Sequence, residues 1–374
     1  MPRSLRTAAL TALASALPLL IAAAPAGAQS DILMRLRSGS PAGDRFRVDS
    51  AGGLIAMGEI GRGIIPASGP GWRMMWYPYK VAFRAGYADG GNQMDDAKIG
   101  FYSWAGGALS VASGIHSFAM GDGAVASGPS SVALGSKTEA TGGAAVAIGL
   151  ANRAVQTGAL ALGHLTVADG DAATALGYRS TASADYSTAI GYRAATRGRV
   201  GAIVIADAST TDSLEATANN QFTLRAAGGV RLFTNATKTT GVTVAPGGSS
   251  WSVVSDSTRK EAFAEVDGEA VLAKLRDVPV TSWRYRDEED RATRHIGPMA
   301  QDWHRAFGFN TDDRTINMSD FDGVNLAAVR ALEARTAQLQ AKAAEVDALR
   351  EEVRALRDGQ RALERRLAKL EGAR

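Results

Sequence analysis

Residues 119–149 read AMGDGAVASGPSSVALGSKTEATGGAAVAIG, in which Ala119-Met120-Gly121, Ala133-Leu134-Gly135 and Ala147-Ile148-Gly149 recur every 14 residues. The phase holds outward. Ala161-Leu162-Gly163, Ala175-Leu176-Gly177 and Ala189-Ile190-Gly191 continue it, and Gly107 keeps the spacing one step earlier. Counted from each of these glycines, the fifth residue is Ala112, Ala126, Ala140, Ala154, Ala168 and Ala182. The seventh is usually glycine, as at Gly114, Gly128, Gly142, Gly170 and Gly198, with Gln156 and Ala184 as exceptions. A fixed short period marks stacked, quasi-one-dimensional structure, so residues 105–204 read as a solenoid with two short strands and two corners per turn. The eleventh and thirteenth residues share one strand face by period-two alternation: Phe118 with Met120, Val132 with Leu134, Val146 with Ile148, Leu160 with Leu162, Thr174 with Leu176, Thr188 with Ile190.

One or two sizeable apolar side chains per turn make a thin core for a coil whose whole backbone must be ordered. Turns must therefore stack, and several copies of the chain must share the apolar face. An obligate homo-oligomer is expected; packing alone does not set the number of copies.

The flanking segments differ in character. Arg3 and Arg6 precede an apolar run from Ala8 to Ala24 that ends in Ala26-Gly27-Ala28, the pattern of a cleaved signal peptide over residues 1–28. Export is expected. Nowhere else is a run long and apolar enough for a membrane helix, so no transmembrane anchor is expected in the mature chain. The formal charge is +3, and basic residues are scattered without a block interleaved with aromatics, which argues against a nucleic-acid partner. With no cysteine, the chain has neither disulfides nor thiolate metal sites. Lone histidines such as His116, His164 and His304 form no ligand set, and neither metal nor cofactor is expected.

Residues 29–104 form a Gly-rich β module dense in aromatics, among them Trp72, Trp76, Phe83, Tyr87 and Trp104. They read as a packing plug at a fibre tip rather than a glycan-stacking surface, because no converging carboxylates accompany them. Residues 205–250 read as a β connector. At Trp251 glycine thins and helices begin: Asp267 is placed to cap a helix from Gly268 to about Arg276. Strands follow at Val278–Tyr285 and His295–Gly297, then a helix from Pro298 to Phe307, and a last helix from Asp320 or Asp322. Along residues 328–374 a heptad is legible. Leu332, Leu339, Val346, Val353 and Leu367 take one core position, Leu349, Leu356, Leu363 and Leu370 the other, and Arg335, Lys342 and Gln360 interrupt. A coiled coil with parallel partners is expected.

The repeats resemble the head repeats of trimeric autotransporter adhesins. That resemblance implies a mainly β chain, a trimeric left-handed parallel β-roll, at the surface of or secreted by a Gram-negative-type bacterium, with a possible host-surface or glycan receptor. The chain departs from those adhesins in lacking a long stalk and a C-terminal membrane barrel, so self-anchoring is not implied. Ser255-Asp256 with Lys260, the strand Pro279-Val280-Thr281-Ser282-Trp283, and His295-Ile296-Gly297-Pro298-Met299-Ala300-Gln301 resemble the C-terminal intramolecular chaperone of phage endosialidases and tail fibres. That second resemblance implies a small α/β chaperone domain over residues 251–327 that drives homotrimer folding and then cuts itself off. By position it makes Ser255 the nucleophile, Lys260 its general base, and the Val254–Ser255 peptide the scissile bond, with His295 and Gln301 supporting the site. Asp302 stands where the family often has Glu, and Thr258-Arg259 where many members have Asn-Leu. A lysine serves a serine as base only when burial lowers its pKa, so cutting would report completed assembly. The resulting expectation is an exported homotrimeric fibre whose chemistry acts on itself. A glycan-degrading spike would need a carboxylate cluster, for which Asp89, Asp95 and Asp96 are too few, and a passive secreted fibre is the other alternative.

Overall fold

The computed structural model describes residues 32–38 and 43–371; the expected signal peptide lies outside the described residues. The chain forms two compact units, one up to Gly228 and one from Gly229.

The first unit is dominated by a parallel β-solenoid of about seven turns. Each turn contributes a five-residue strand, such as Val132–Ser136, and a two-residue strand, such as Glu139–Ala140. Long strands pair with their counterparts 14 residues on, Val132 with Val146 and Gly135 with Gly149, and short strands likewise, Glu139 with Arg153. Two sheets result, of eleven long and eight short strands.

The space between them is filled almost wholly by methyl groups. Ala119, Ala133, Ala147, Ala161, Ala175 and Ala189 on the long strands face Ala126, Ala140, Ala154, Ala168 and Ala182 on the short ones, all fully buried. Only in the last rungs does a larger side chain, Val204, replace alanine in this row. The triplet glycines are required by the close stacking of turns. At Gly149, with φ +124°, an added Cβ would lie 2.1 Å from the Gly163 carbonyl oxygen. Several corner polar groups are satisfied locally: the hydroxyls of Ser117 and Ser131 each donate to a carbonyl three residues back at 2.7 Å. Buried Asn152 donates to the Ile148 and Gly163 carbonyls and accepts from the Thr166 amide.

The long-strand sheet extends beyond residues 105–204 at both ends. It opens with an antiparallel hairpin, Gly71–Tyr77 and Ala82–Ala88, whose second strand pairs in parallel with Trp104–Ala108. It closes with Ile203–Ala206 and Phe222–Arg225. Part of the aromatic set packs here, Tyr77 being buried with Met75, Ala82, Ala88, Met94 and Ile99 and Tyr79 lying against them. Arg84 is also turned inward and fully buried, and its guanidinium donates to the carbonyls of Phe83, Ser103 and Ala112 and to the Ser103 hydroxyl. Burial lowers its pKa to about 10. Trp72, 80% exposed, and Trp104, 49% exposed, lie outside the coil. Before the hairpin, Ile32–Ser38, Gly43–Asp49 and Leu54–Ala56 form a small antiparallel sheet.

In the second unit, Val230–Phe233, Gly241–Val244 and Ser252–Val253 form an antiparallel sheet. Helix α1 (Gly268–Arg276) starts as expected, with the Asp267 carboxylate accepting from the amides of Glu269 and Ala270. The expected strand Val278–Tyr285 is only Thr281–Trp283, paired antiparallel with His295–Gly297. It is short because Val278 turns into the core and the Tyr285 amide donates to the Glu288 carboxylate. Helix α2 runs Ala300–Phe307 and so begins after Met299, not at Pro298. Helix α3 runs Met318–Glu371, earlier than Asp320 or Asp322, because the Asn317 side chain accepts from the Ser319 amide and supplies the cap. Trp303 is buried at the centre, with Val271, Val278, Val324 and Ala328 around it.

Candidate self-cleavage site

The Val254 amide donates to the Gly241 carbonyl at 3.2 Å, so the chain leaves the antiparallel sheet at the expected scissile bond. Asp256 then ends the extended run. Its carboxylate accepts from the Thr258 amide at 2.9 Å and the Thr258 hydroxyl at 2.8 Å, capping a single 3-10 turn, Ser257–Arg259. The Thr258 amide, its hydroxyl and then the nearby Arg259 charge hold the Asp256 carboxyl below its usual range. That turn folds the chain back by one step, and the Lys260 amide donates to the Ser257 carbonyl. As a result Lys260 Nζ donates to Ser255 Oγ at 2.8 Å.

Ser255 and Lys260, the expected nucleophile and base, are therefore brought together within one chain. Val254 is half-buried, whereas Ser255 and Lys260 are both exposed. An apolar cavity of about 430 Å³ in this unit lies elsewhere, among Val271 of α1, Phe307 of α2 and Val324 of α3, with Val266 before α1 and Phe309 after α2.

The two residues expected to support the site, His295 and Gln301, are placed apart from that contact. His295 is half-buried, packed on Trp283 (4.7 Å between ring centres) and Tyr285 (5.6 Å), with Nε2 3.1 Å from Glu288 Oε1. Gln301 is exposed in the first turn of α2. Among the described residues no hydrogen bond joins either of them to Ser255 or Lys260. Asp302 accepts from Arg305 at 2.8 Å, a contact along its own helix.

Sequence reading named Asp256 and Thr258 only as motif positions and missed the contact between them, and it missed Glu288. The pattern Asp-x-Thr is a side-chain-capped turn signal that could have found that contact, since a carboxylate two residues before a hydroxyl readily captures both its amide and its oxygen. Glu288 sits in the irregular segment 284–294, where spacing carries no such signal. Among the described residues no group of three or more metal-ligating side chains gathers, and no helix is long and apolar enough to cross a membrane.

Two family models match the chain. The chaperone of endosialidase matches residues 255–310, beginning at Ser255, and the YadA head domain repeat matches twice, at 112–138 and 168–194. The chain is thus similar to an adhesin head in its first unit and to an endosialidase chaperone in its second, the composition its motifs suggested. No curated protein sequence matches it.

Proposed function

We propose that the chain assembles into an exported homotrimeric fibre that engages a host-surface or glycan receptor. Its C-terminal domain guides trimer folding and then severs the Val254–Ser255 peptide. One observation carries the reading. The roll spends its interior on alanine and leaves its larger apolar residues outside, with Met120, Ile148 and Leu176 between 37% and 46% exposed along one column. Such a column is covered when copies associate. Helix α3 repeats the arrangement, since Leu339, Leu349, Leu356 and Leu363 are exposed in a single chain. Its first turns are instead occupied within the domain: Val324, Ala328 and Ala331 are buried, and Arg335 forms a bidentate ion pair with Glu269 of α1. The heptad interruption at Arg335 thus has a use, and partner helices would meet beyond it.

The chemistry follows from the 2.8 Å contact. Ser255 Oγ attacks the Val254 carbonyl carbon while its proton passes to neutral Lys260 Nζ. The proton then goes to the departing Ser255 nitrogen as the C–N bond breaks, leaving an ester. Water hydrolyses the ester and frees a Val254 carboxylate and an N-terminal Ser255. A lysine is neutral and basic only when desolvated. Because both side chains are exposed in one chain, the neighbouring copies would supply that burial.

Light scattering on the purified chain, followed by intact mass, tests this. The expected result is a trimer yielding a fragment that begins at Ser255, while Ser255→Ala and Lys260→Ala remain trimeric and full-length. A well-folded monomer, or cleavage persisting in Ser255→Ala, would overturn the proposal.

A further inference from the structure

The small sheet that opens the first unit sorts its side chains by charge. Leu36 stands opposite Phe46 and Met34 opposite Val48, so one face is apolar. On the other face Arg35 stands directly opposite Arg47, and Arg37 opposite Asp44. Asp44 meets all three arginines, Arg35 at 3.3 Å, Arg37 at 3.5 Å and Arg47 at 3.6 Å, which fixes them on one face. Arg45, left out of the ladder where the register shifts, pairs with Glu59 at 2.8 Å, and Glu59 also takes Arg62 at 3.2 Å. Residues 32–62 thus carry five arginines and no lysine against Asp44, Asp49 and Glu59.

This arrangement works against the sheet that carries it. Like charges directly opposite on neighbouring strands destabilise the pair. One carboxylate does not neutralise three guanidiniums, and it is the carboxylate that lies inward. The Asp44 side chain is 17% exposed, whereas those of Arg35, Arg37 and Arg47 are 40%, 54% and 35% exposed. Asp49 serves the following turn, accepting from the Ala51 and Gly53 amides. The packing of a three-stranded sheet does not ask for this excess of cations, but an anion laid across the face would relieve it. Arginine suits that task, because its planar fork meets an oxyanion through two N–H groups at once.

We infer that this arginine face is a receptor-binding surface and that its partner is an anionic polysaccharide, a polymer bearing sulfate or carboxylate groups. The inference rests on the receptor reading above and adds the receptor's chemistry and the residues that meet it: Arg35, Arg37 and Arg47. Alternate residues on a strand lie about 6.6 Å apart and neighbouring strands about 4.8 Å, so the three guanidiniums can engage successive charges of one polymer. Nucleobases and lipid tails need aromatic or apolar residues beside the cations. On this face the ladder adds no aromatic ring, only Ile32 opposite Asp49 and Ile55 opposite Arg47. A trimer repeats the patch three times, and a polymer of repeating charge can hold more than one patch, which multiplies weak contacts.

Surface plasmon resonance of the full-length chain over immobilised heparin, hyaluronan, dextran and duplex DNA tests this. Heparin or hyaluronan should bind and dextran should not. Raising sodium chloride from about 50 to about 300 mM should weaken that binding at least about tenfold. Arg35→Gln/Arg37→Gln/Arg47→Gln should weaken it by at least about tenfold as well. The charge-matched Arg153→Gln/Arg179→Gln/Arg199→Gln, which alters three exposed arginines of the roll, should change it by less than about threefold. Asp44→Asn removes the competing carboxylate and should strengthen binding by at least about threefold, a gain that misfolding does not produce. Binding to neither polysaccharide, indifference to salt, equal losses in the two triple variants, no gain in Asp44→Asn, or DNA held tighter than both polysaccharides would each overturn the inference. A chain that then still held dextran or intact eukaryotic cells would keep the receptor reading; one that held nothing would remove both.

Discussion

At the scale of single residues, the roll tolerates change at some glycines and not at others, and backbone geometry says which. A Cβ on Gly149 would press into the Gly163 carbonyl, and φ there is +124°. Gly143, in the corner before it, has no left-handed φ, and a Cβ there would meet only the Thr157 methyl at 3.9 Å. Gly149→Ala should therefore destabilise the roll by about 2–4 kcal/mol, combining backbone strain with overpacking. Gly143→Ala should be neutral or stabilise by up to about 1 kcal/mol through the unfolded chain. Thermal or denaturant melts of the two variants check the contrast; equal effects would mean the close stacking is not what fixes the glycine. A second residue-scale expectation concerns acid. Asp207 is held well below the carboxylate range by the Ser209 hydroxyl first, then the Ala227 amide and the Arg225 guanidinium. A carboxyl lowered on folding contributes stability that is complete above its unfolded value, near 4, and is lost as pH falls below it. Asp207→Asn should therefore melt below the parent chain at pH 7, with the gap closing towards pH 2.5.

At the scale of elements, helix α3 performs two tasks in succession. Its first turns close the chaperone core through Val324, Ala328 and Ala331; beyond Arg335 the leucines face outward. Leu356→Asp should consequently leave the fold of the second unit intact, with unchanged near-ultraviolet signal from Trp303, while weakening association at least about tenfold by sedimentation. Loss of the core signal would instead place Leu356 within the domain. What could be read from the sequence at this scale follows from how locally each element is encoded. The roll was legible because every turn restates its glycine and its alanines in phase, and α1 because Asp267 supplies its own cap. The aromatic hairpin was not, because it joins the roll with Gly86 against Gly107, an offset of 21 residues where the repeat has 14. Its inward residue, Arg84, is a charge that no hydrophobic pattern would place inside. In the candidate site, Ser255 and Lys260 were legible by resemblance, and the structure brings them into contact. The Asp256–Thr258 brace that sets the spacing and the Glu288 partner of His295 depend on turn geometry and a loop, which carry no period.

At the scale of the whole molecule, the two units solve one problem from opposite directions. A coil cored by alanine has no reason to remain a single chain, since the apolar surface that would stabilise it lies outside. A Ser–Lys pair exposed to water has the contact for catalysis but not the dry surroundings a neutral lysine requires. The proposed association would supply what each lacks, so cleavage should follow oligomeric state and not local sequence. The decisive variant leaves Ser255, Lys260 and their brace untouched and disables only the shared face. Ile148→Asp puts a charge on the exposed apolar column of the roll, at a position 37% exposed in one chain that the proposed assembly would desolvate. Coexpressed or refolded at micromolar concentration, the parent chain should convert to a fragment beginning at Ser255. Ile148→Asp should stay full-length in proportion to its loss of trimer, with at least about a tenfold slower appearance of the new N-terminus by mass spectrometry. Diluting the parent chain during refolding should slow conversion in the same way, because assembly and not chemistry would set the rate. Cleavage at an unchanged rate in a verified monomer would show that one chain buries Lys260 by its own means, and the link between assembly and cutting would be lost.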